Sequence, residues 1–238
     1  MQIAQTIGVF LVSLAVLCGL AVVFLRTIWF HRDPLRVPDE TEDVLISPAD
    51  GMVVYTRRFQ DGVVVSEKLG EEIPITEILH SGEANGSGWM LGIYMSPLDV
   101  HFNYAPCEAT VQSITRKEAP LNFPMIDMWE YVRIVWMRKL VQLFGRRFHL
   151  ENERSTIFFE QRGLRFAVVL IADKFVSKIK TFVSPGDNVP CGTKLAFISR
   201  GSQADVVIFR DDVDIVVQPG QHVTGGQTVI ARIGSSDK

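Results

Sequence analysis

Pro185-Gly186-Asp187-Asn188-Val189-Pro190-Cys191-Gly192 is answered 34 residues later by Pro219-Gly220-Gln221-His222-Val223-Thr224-Gly225-Gly226. Both fit P-G-x-x-V-x-x-G, and an apolar strand-like run follows each. In each copy Pro-Gly supplies a turn, the valine a buried anchor and the last glycine a corner at positive φ. A hairpin used twice in this way places the C-terminal half in a β architecture.

Working outward, short β-branched runs punctuated by Gly and Pro extend back to Val44: Met52–Tyr55, Gly62–Ser66, Trp89–Met95, Ala109–Ile114, Thr156–Glu160 and Phe166–Ile171. Their spacing predicts a mainly β domain over 44–238 with some helix (α+β). The repeated hairpin is common in barrel-sandwich domains, so a barrel-sandwich-like arrangement is expected. Ser81–Gly88 (SGEANGSG) reads as a polar surface loop. Met128–Phe148 breaks the pattern: Val132, Val135, Trp136, Leu140 and Phe144 fall at helical spacing, with Arg133, Arg138, Lys139, Arg146 and Arg147 between them. We expect an inserted amphipathic helix over about 125–148, either lying at an anionic bilayer surface or packed on the sheet with its cations in water.

Ile7–Leu25 is a 19-residue run without a charge, which at about 1.5 Å per residue spans a bilayer's hydrocarbon core. Residues 1–6 contain no Lys or Arg, whereas Arg26, Arg32 and Arg36 follow the run. A signal peptide has the opposite charge order. The expected layout is a single-pass anchor over 1–28, a Pro- and charge-rich linker over 29–43, and a soluble domain facing the cytoplasm. A net charge of −3 argues against nucleic acid as the main partner. Cys18, Cys107 and Cys191 have no CxxC spacing, so neither a disulfide framework nor a metal site is expected.

Arg200-Gly201-Ser202 lies between the strand-like runs Lys194–Ile198 and Ala204–Ile208. A Gly-Ser pair between strands is ordinarily a polar turn. It is also the kind of corner at which a serine hydroxyl can attack its own preceding carbonyl. Other blocks accompany it: Phe30-His31-Arg32-Asp33-Pro34 after the apolar run, Ser47-Pro48-Ala49-Asp50-Gly51, Met95-Ser96-Pro97-Leu98-Asp99-Val100-His101-Phe102-Asn103-Tyr104-Ala105-Pro106, and Glu151-Asn152-Glu153-Arg154. In this order, from about Trp29 to the C-terminal hairpins, the chain resembles the short form of the phosphatidylserine decarboxylase proenzyme family.

The resemblance implies self-cleavage at Gly201-Ser202. An N→O acyl shift and β-elimination would leave a β chain of residues 1–201 and an α chain of residues 202–238, the latter starting with a pyruvoyl group made from Ser202. That covalent cofactor would serve as electron sink when the carboxylate of phosphatidylserine leaves as CO₂, giving phosphatidylethanolamine at the cell membrane. His101 is the candidate base and Asp50 the candidate group orienting its imidazole, since both match the family's positions. No metal is implied. The partners are membrane lipid and the chain's own two pieces, and the sequence leaves a homo-oligomer open. Arg154 is either an anion ligand or a surface ion pair with Glu151 or Glu153.

The chain also departs from the family. Tyr104 stands where long bacterial forms have a second histidine, Arg-Gly-Ser-Gln replaces the usual Leu-Gly-Ser-Thr, and about twenty residues are inserted between Asn122 and Glu151. The rival readings are a membrane-anchored barrel-sandwich adaptor and a lipoyl or biotinyl carrier modified at Lys174. The adaptor lacks the expected heptads, and Lys174 follows an apolar run rather than sitting at a hairpin tip.

Overall fold

The computed structural model describes residues 2–66, 71–82, 86–119, 122–135, 137, 143–144, 151–173, 179–198 and 202–234. The chain divides into two units, Met1–Pro34 and Leu35–Lys238. In the first, α1 (Gln2–Phe24) runs into a π-helical turn over Leu25–Trp29. Gln5–Trp29, 25 residues, is long and apolar enough to cross a membrane. Two of its hydroxyls bond back into the helix, as suits an apolar surrounding: Thr6 donates to the Gln2 carbonyl at 3.0 Å and Thr27 to the Val23 carbonyl at 2.7 Å. At the end of the helix the Arg32 guanidinium lies 4.3 Å from the Trp29 ring centre, a pairing suited to a membrane–water boundary.

The second unit opens with β1 (Val44–Ile46), β2 (Gly51–Phe59), β3 (Val63–Ser66), β4 (Glu71–Pro74) and the short helix α2 (Ile75–Leu79). There follow β5 (Gly88–Met95), β6 (Phe102–Tyr104), β7 (Ala109–Lys117), α3 (Met128–Val135), β8 (Arg154–Gln161) and β9 (Leu164–Ala172). The C-terminal part adds β10 (Ile179–Thr181), β11 (Asn188–Val189), β12 (Lys194–Ile198), β13 (Ser202–Ile208), β14 (Val213–Ile215), β15 (His222–Val223) and β16 (Val229–Ile233). The runs read as strands from sequence fall in β2, β3, β5, β7, β8 and β9.

An eight-stranded antiparallel sheet, ordered β11-β7-β8-β9-β13-β5-β2-β15, curls into a half-barrel. Three-stranded sheets β1-β16-β14 and β10-β12-β6 and the hairpin β3-β4 complete the unit. Side chains alternate across each strand, and the large sheet has a core on either face. Phe166, Val168 and Leu170 of β9 join the core shared with the small sheets, whereas Ala167, Val169 and Ile171 join the one containing α2, Ile134 and Phe144. A strand buried on both faces reads as a continuous apolar run, as Phe166–Ile171 does.

The two P-G-x-x-V-x-x-G copies take opposite edges of this sheet: β11 pairs with β7 and β15 with β2. Val189 and Val223 are buried, and the closing Gly192 and Gly226 have φ of 77° and 73°. In the insertion the described helix is Met128–Val135; residues 136, 138–142 and 145–150, which carry most of the expected cations, lie outside the described residues. Its start is a reciprocal cap: Glu130 N donates to Asp127 Oδ1 at 2.7 Å and Asp127 N to Glu130 Oε2 at 3.2 Å. Trp129 is exposed and Ile134 buried.

Candidate active site

β13 starts at Ser202 and is hydrogen-bonded along its length to β5 and β9, with Ser202 opposite Met95 and Ala172. Ser202 is fully buried, and its hydroxyl donates to Met95 Sδ at 3.2 Å. The same sulfur accepts from Asn103 Nδ2 at 3.6 Å. Asn103 Oδ1 is buried and has no partner among the described residues. Gly201 and Arg200 lie outside the described residues, so the expected cleavage corner is bracketed by Ile198 and Ser202.

Both brackets lead to His101. Ile198 N donates to the His101 carbonyl at 3.1 Å, and β12 pairs with β6, placing Phe197 beside Phe102 and Ala196 beside Asn103. On the other side Met95 ends β5 and opens the loop that runs to His101. His101 is fully buried, with Nδ1 2.9 Å from the Asp99 carbonyl. A carbonyl only accepts, so Nδ1 carries the proton and Nε2 is the basic nitrogen.

Asp50 follows Ala49 at the start of β2 and is buried. Its Oδ2 accepts from Arg36 Nη2 at 2.8 Å and from Val100 N at 3.4 Å, and its Oδ1 accepts from Gly225 N at 2.7 Å. Asp50 therefore reaches His101 through the backbone of the preceding residue, and the Asp99 carbonyl takes the place at Nδ1 expected for Asp50. Burial pushes the Asp50 carboxyl above the usual range, and Asp99 adds to this; the Arg36 charge and the Gly225 and Val100 N–H groups pull it back without cancelling it. Asp99 goes the other way. Burial raises it too, but hydrogen bonds from His222 and Ser96 outweigh that and leave it lowered, with His222 Nε2 3.1 Å from Asp99 Oδ1.

The reverse face of β13 carries a second polar group. Gln203 Nε2 donates to Asp205 Oδ1 at 2.7 Å and to the Tyr55 hydroxyl at 2.9 Å. Burial raises the Asp205 carboxyl to about 7 against the pull of Gln203, Tyr55 and the Arg154 charge. Arg154 is buried, with Nη1 donating to the Glu77 and Ile78 carbonyls at 3.0 and 2.9 Å. It caps the C-terminal end of α2, which rules out the surface ion pair considered from sequence.

Tyr104 is buried with its ring against Gly226, a packing position. His31 belongs to the first unit and His80 ends α2, and Lys174 and His149 lie outside the described residues. Among the described residues no group of three or more His, Cys, Asp or Glu side chains is placed to hold a metal. Open clefts of about 470 and 660 Å³ reach the β8–β9 end of the sheet and are lined by none of Ser202, His101 or Asp50. Arg36, Met95 and Asn103 were not singled out from sequence. The last two sit in the quoted block around His101, but Arg36 reads there only as a juxtamembrane charge.

The structure thus has a buried serine at the head of a central strand and a buried histidine whose carbonyl is bonded to Ile198, the last described residue before that strand. The family model described as phosphatidylserine decarboxylase matches residues 23–231. A phosphatidylserine decarboxylase proenzyme of Carboxydothermus hydrogenoformans is 30% identical over 89% of this chain and 81% of its own. One of Bacteroides fragilis is 30% identical over 89% of this chain and 77% of its own. A putative archaetidylserine decarboxylase proenzyme of Methanothermobacter thermautotrophicus is 29% identical over 88% and 81%. The chain belongs to the phosphatidylserine decarboxylase family and is a decarboxylase, which sets aside the adaptor and carrier readings.

Proposed function

We propose that this protein is a single-pass membrane enzyme that cuts itself between Gly201 and Ser202 and decarboxylates phosphatidylserine to phosphatidylethanolamine. The observation that carries the reading is the burial of Ser202 at the first position of β13, with its hydroxyl on Met95 Sδ, in a chain whose relatives are proenzymes. A serine hydroxyl is a weak nucleophile until a base takes its proton. His101 Nε2 is that base, held in the required tautomer by the Asp99 carbonyl. Asp50 fixes the loop by accepting from Val100 N.

The pyruvoyl group made from Ser202 supplies a carbonyl that accepts electrons as the substrate carboxylate departs. Its surroundings suit such a group: Asn103 Nδ2, an N–H donor, lies on the same Met95 sulfur that accepts the Ser202 hydroxyl, and a donor there could hydrogen-bond a carbonyl at that position. His101 remains as proton donor or acceptor at that end of β13. Relatives named for diacyl and for archaeal serine lipids have the serine head group in common, and phosphatidylserine is the substrate we assign. The arginines that follow α1 favour a cytoplasmic catalytic unit, and the two P-G-x-x-V-x-x-G copies support the barrel-sandwich description of that unit.

Purified protein in lipid nanodiscs should resolve under denaturing conditions into pieces of residues 1–201 and 202–238 and should convert phosphatidylserine to phosphatidylethanolamine, read by mass spectrometry. Ser202→Ala should stay whole and inactive. Two pieces from that variant would refute the assignment.

A further inference from the structure

We propose that Arg36, in the segment between the membrane helix and the β domain, is a positioning residue of the self-cleavage site: its guanidinium locks the Asp50 carboxylate, which in turn holds the loop that aims His101. The proposal rests on the roles assigned above to Ser202, His101 and Asp50.

Arg36 is seated from several sides. Nη2 lies 2.8 Å from Asp50 Oδ2 and Nη1 donates to Gln227 Oε1 at 3.0 Å. Its side chain is only 14% exposed. The neighbouring backbone is fixed as well, since Gln227 Nε2 donates to the Val37 carbonyl at 3.3 Å. The segment passes over the closing glycines of both repeat copies. A Cβ on Gly192 would meet Pro38 Cγ at 3.2 Å, and one on Gly226 would meet Arg36 Cβ at 3.2 Å. Both glycines also hold left-handed φ, so a side chain there would strain the backbone and push the segment away. The repeat thus does two jobs: it caps the sheet edges and provides the floor on which residues 36–38 lie.

The electrostatics make the contact consequential. Among the described residues the charged groups acting on Asp50 are Arg36 from the linker and Asp99 from the β5–β6 loop, whose own side-chain partner is His222 of β15. The remaining contacts are the Gly225 and Val100 N–H groups, with buried His101 next along the chain from Val100. Arg36 is therefore the cation that offsets both the burial of Asp50 and its like-charged neighbour. Without it Asp50 would protonate at higher pH and lose acceptor strength toward Val100 N. A guanidinium is suited to this place because its planar fork serves Asp50 and Gln227 at once.

The test follows self-cleavage of the full chain, synthesised into nanodiscs, by gel from pH 5.5 to 8.5. In Arg36→Gln the acidic limb of the rate should move up by about one pH unit or more, with at least a tenfold slower rate near pH 6. Arg36→Lys should restore the midpoint to near wild type by returning the charge. Gln227→Leu, which frees one edge of the guanidinium, should shift the midpoint in the same direction by less, and it carries the test if Arg36→Gln does not fold. A uniform loss of rate with an unmoved midpoint would mean a merely structural role and would overturn the proposal. A wild-type chain that stays whole at every pH overturns the reading of the site and this proposal with it. A wild type that cuts, paired with unmoved midpoints in the Arg36 and Gln227 variants, overturns this proposal alone.

Discussion

His101 shows how a single side chain acquires a defined environment. Its position could be picked out in the sequence because it lies in a block matching a family pattern, but its tautomer could not. The tautomer follows from the Asp99 carbonyl 2.9 Å from Nδ1, a backbone contact created by the turn of the loop and invisible in residue identities. His101→Gln keeps a polar side chain of similar reach and removes the basic nitrogen. It should slow self-cleavage by about 10²–10⁴-fold, read as the half-life of the uncut chain on a gel. Asp50 illustrates the opposite case. Its identity suggested a direct partner for the imidazole, yet its carboxylate is taken up by Arg36, Gly225 N and Val100 N. Met95 and Asn103 were hidden for a related reason: a thioether and an amide carry no signature of their own until the register of β13 on β5 sets Met95 opposite Ser202 and its sulfur accepts from Asn103.

At the scale of the element, strands with two buried faces were the easiest to read and short capped pieces the hardest. α2 has five residues between β4 and β5, too few for a helical period to emerge. It is stabilised from a distance by Arg154 at its last carbonyls. Arg154→Met keeps the length of the side chain and loses those bonds. Thermal stability should drop by about 1–3 kcal/mol, or several degrees in Tm, by scanning fluorimetry in detergent. β13 makes a second case. Its Asp205 carboxyl titrates near 7 in the folded chain against 3.8 ordinarily. Between about pH 4 and 7 the native state keeps a proton that the unfolded chain has released, so stability falls as pH rises through that window. In the uncut Ser202→Ala background, adding Asp205→Asn should flatten this slope and raise Tm at pH 8 relative to pH 5 by a few degrees. An unchanged slope would place the pH dependence elsewhere.

On the scale of the whole molecule, the repeat pointed to β structure because turn chemistry is local: Pro and Gly favour the same kind of turn wherever they recur. What the repeat could not reveal is that its copies sit on opposite edges of one sheet, since that depends on pairing between residues far apart in sequence. Short strands at both margins, each ending in a tight turn, also limit edge-to-edge association. The membrane layout is open to direct measurement. Protease added to inverted membrane vesicles should attack the catalytic unit, whereas in sealed spheroplasts it should leave that unit intact; the reverse pattern would turn the anchor around.

The segment 202–238 contributes β13 between β5 and β9, β15 beside β2, and β16 paired with β1. Every one of those neighbours precedes the proposed scissile bond. Once that bond opens, the 37-residue piece becomes a separate subunit stitched into two sheets, and the molecule turns into a heterodimer that was assembled as one chain. Its native state would then be reached cheaply only once. Renaturing the mature form should depend on protein concentration, while the uncut precursor should refold as a first-order process.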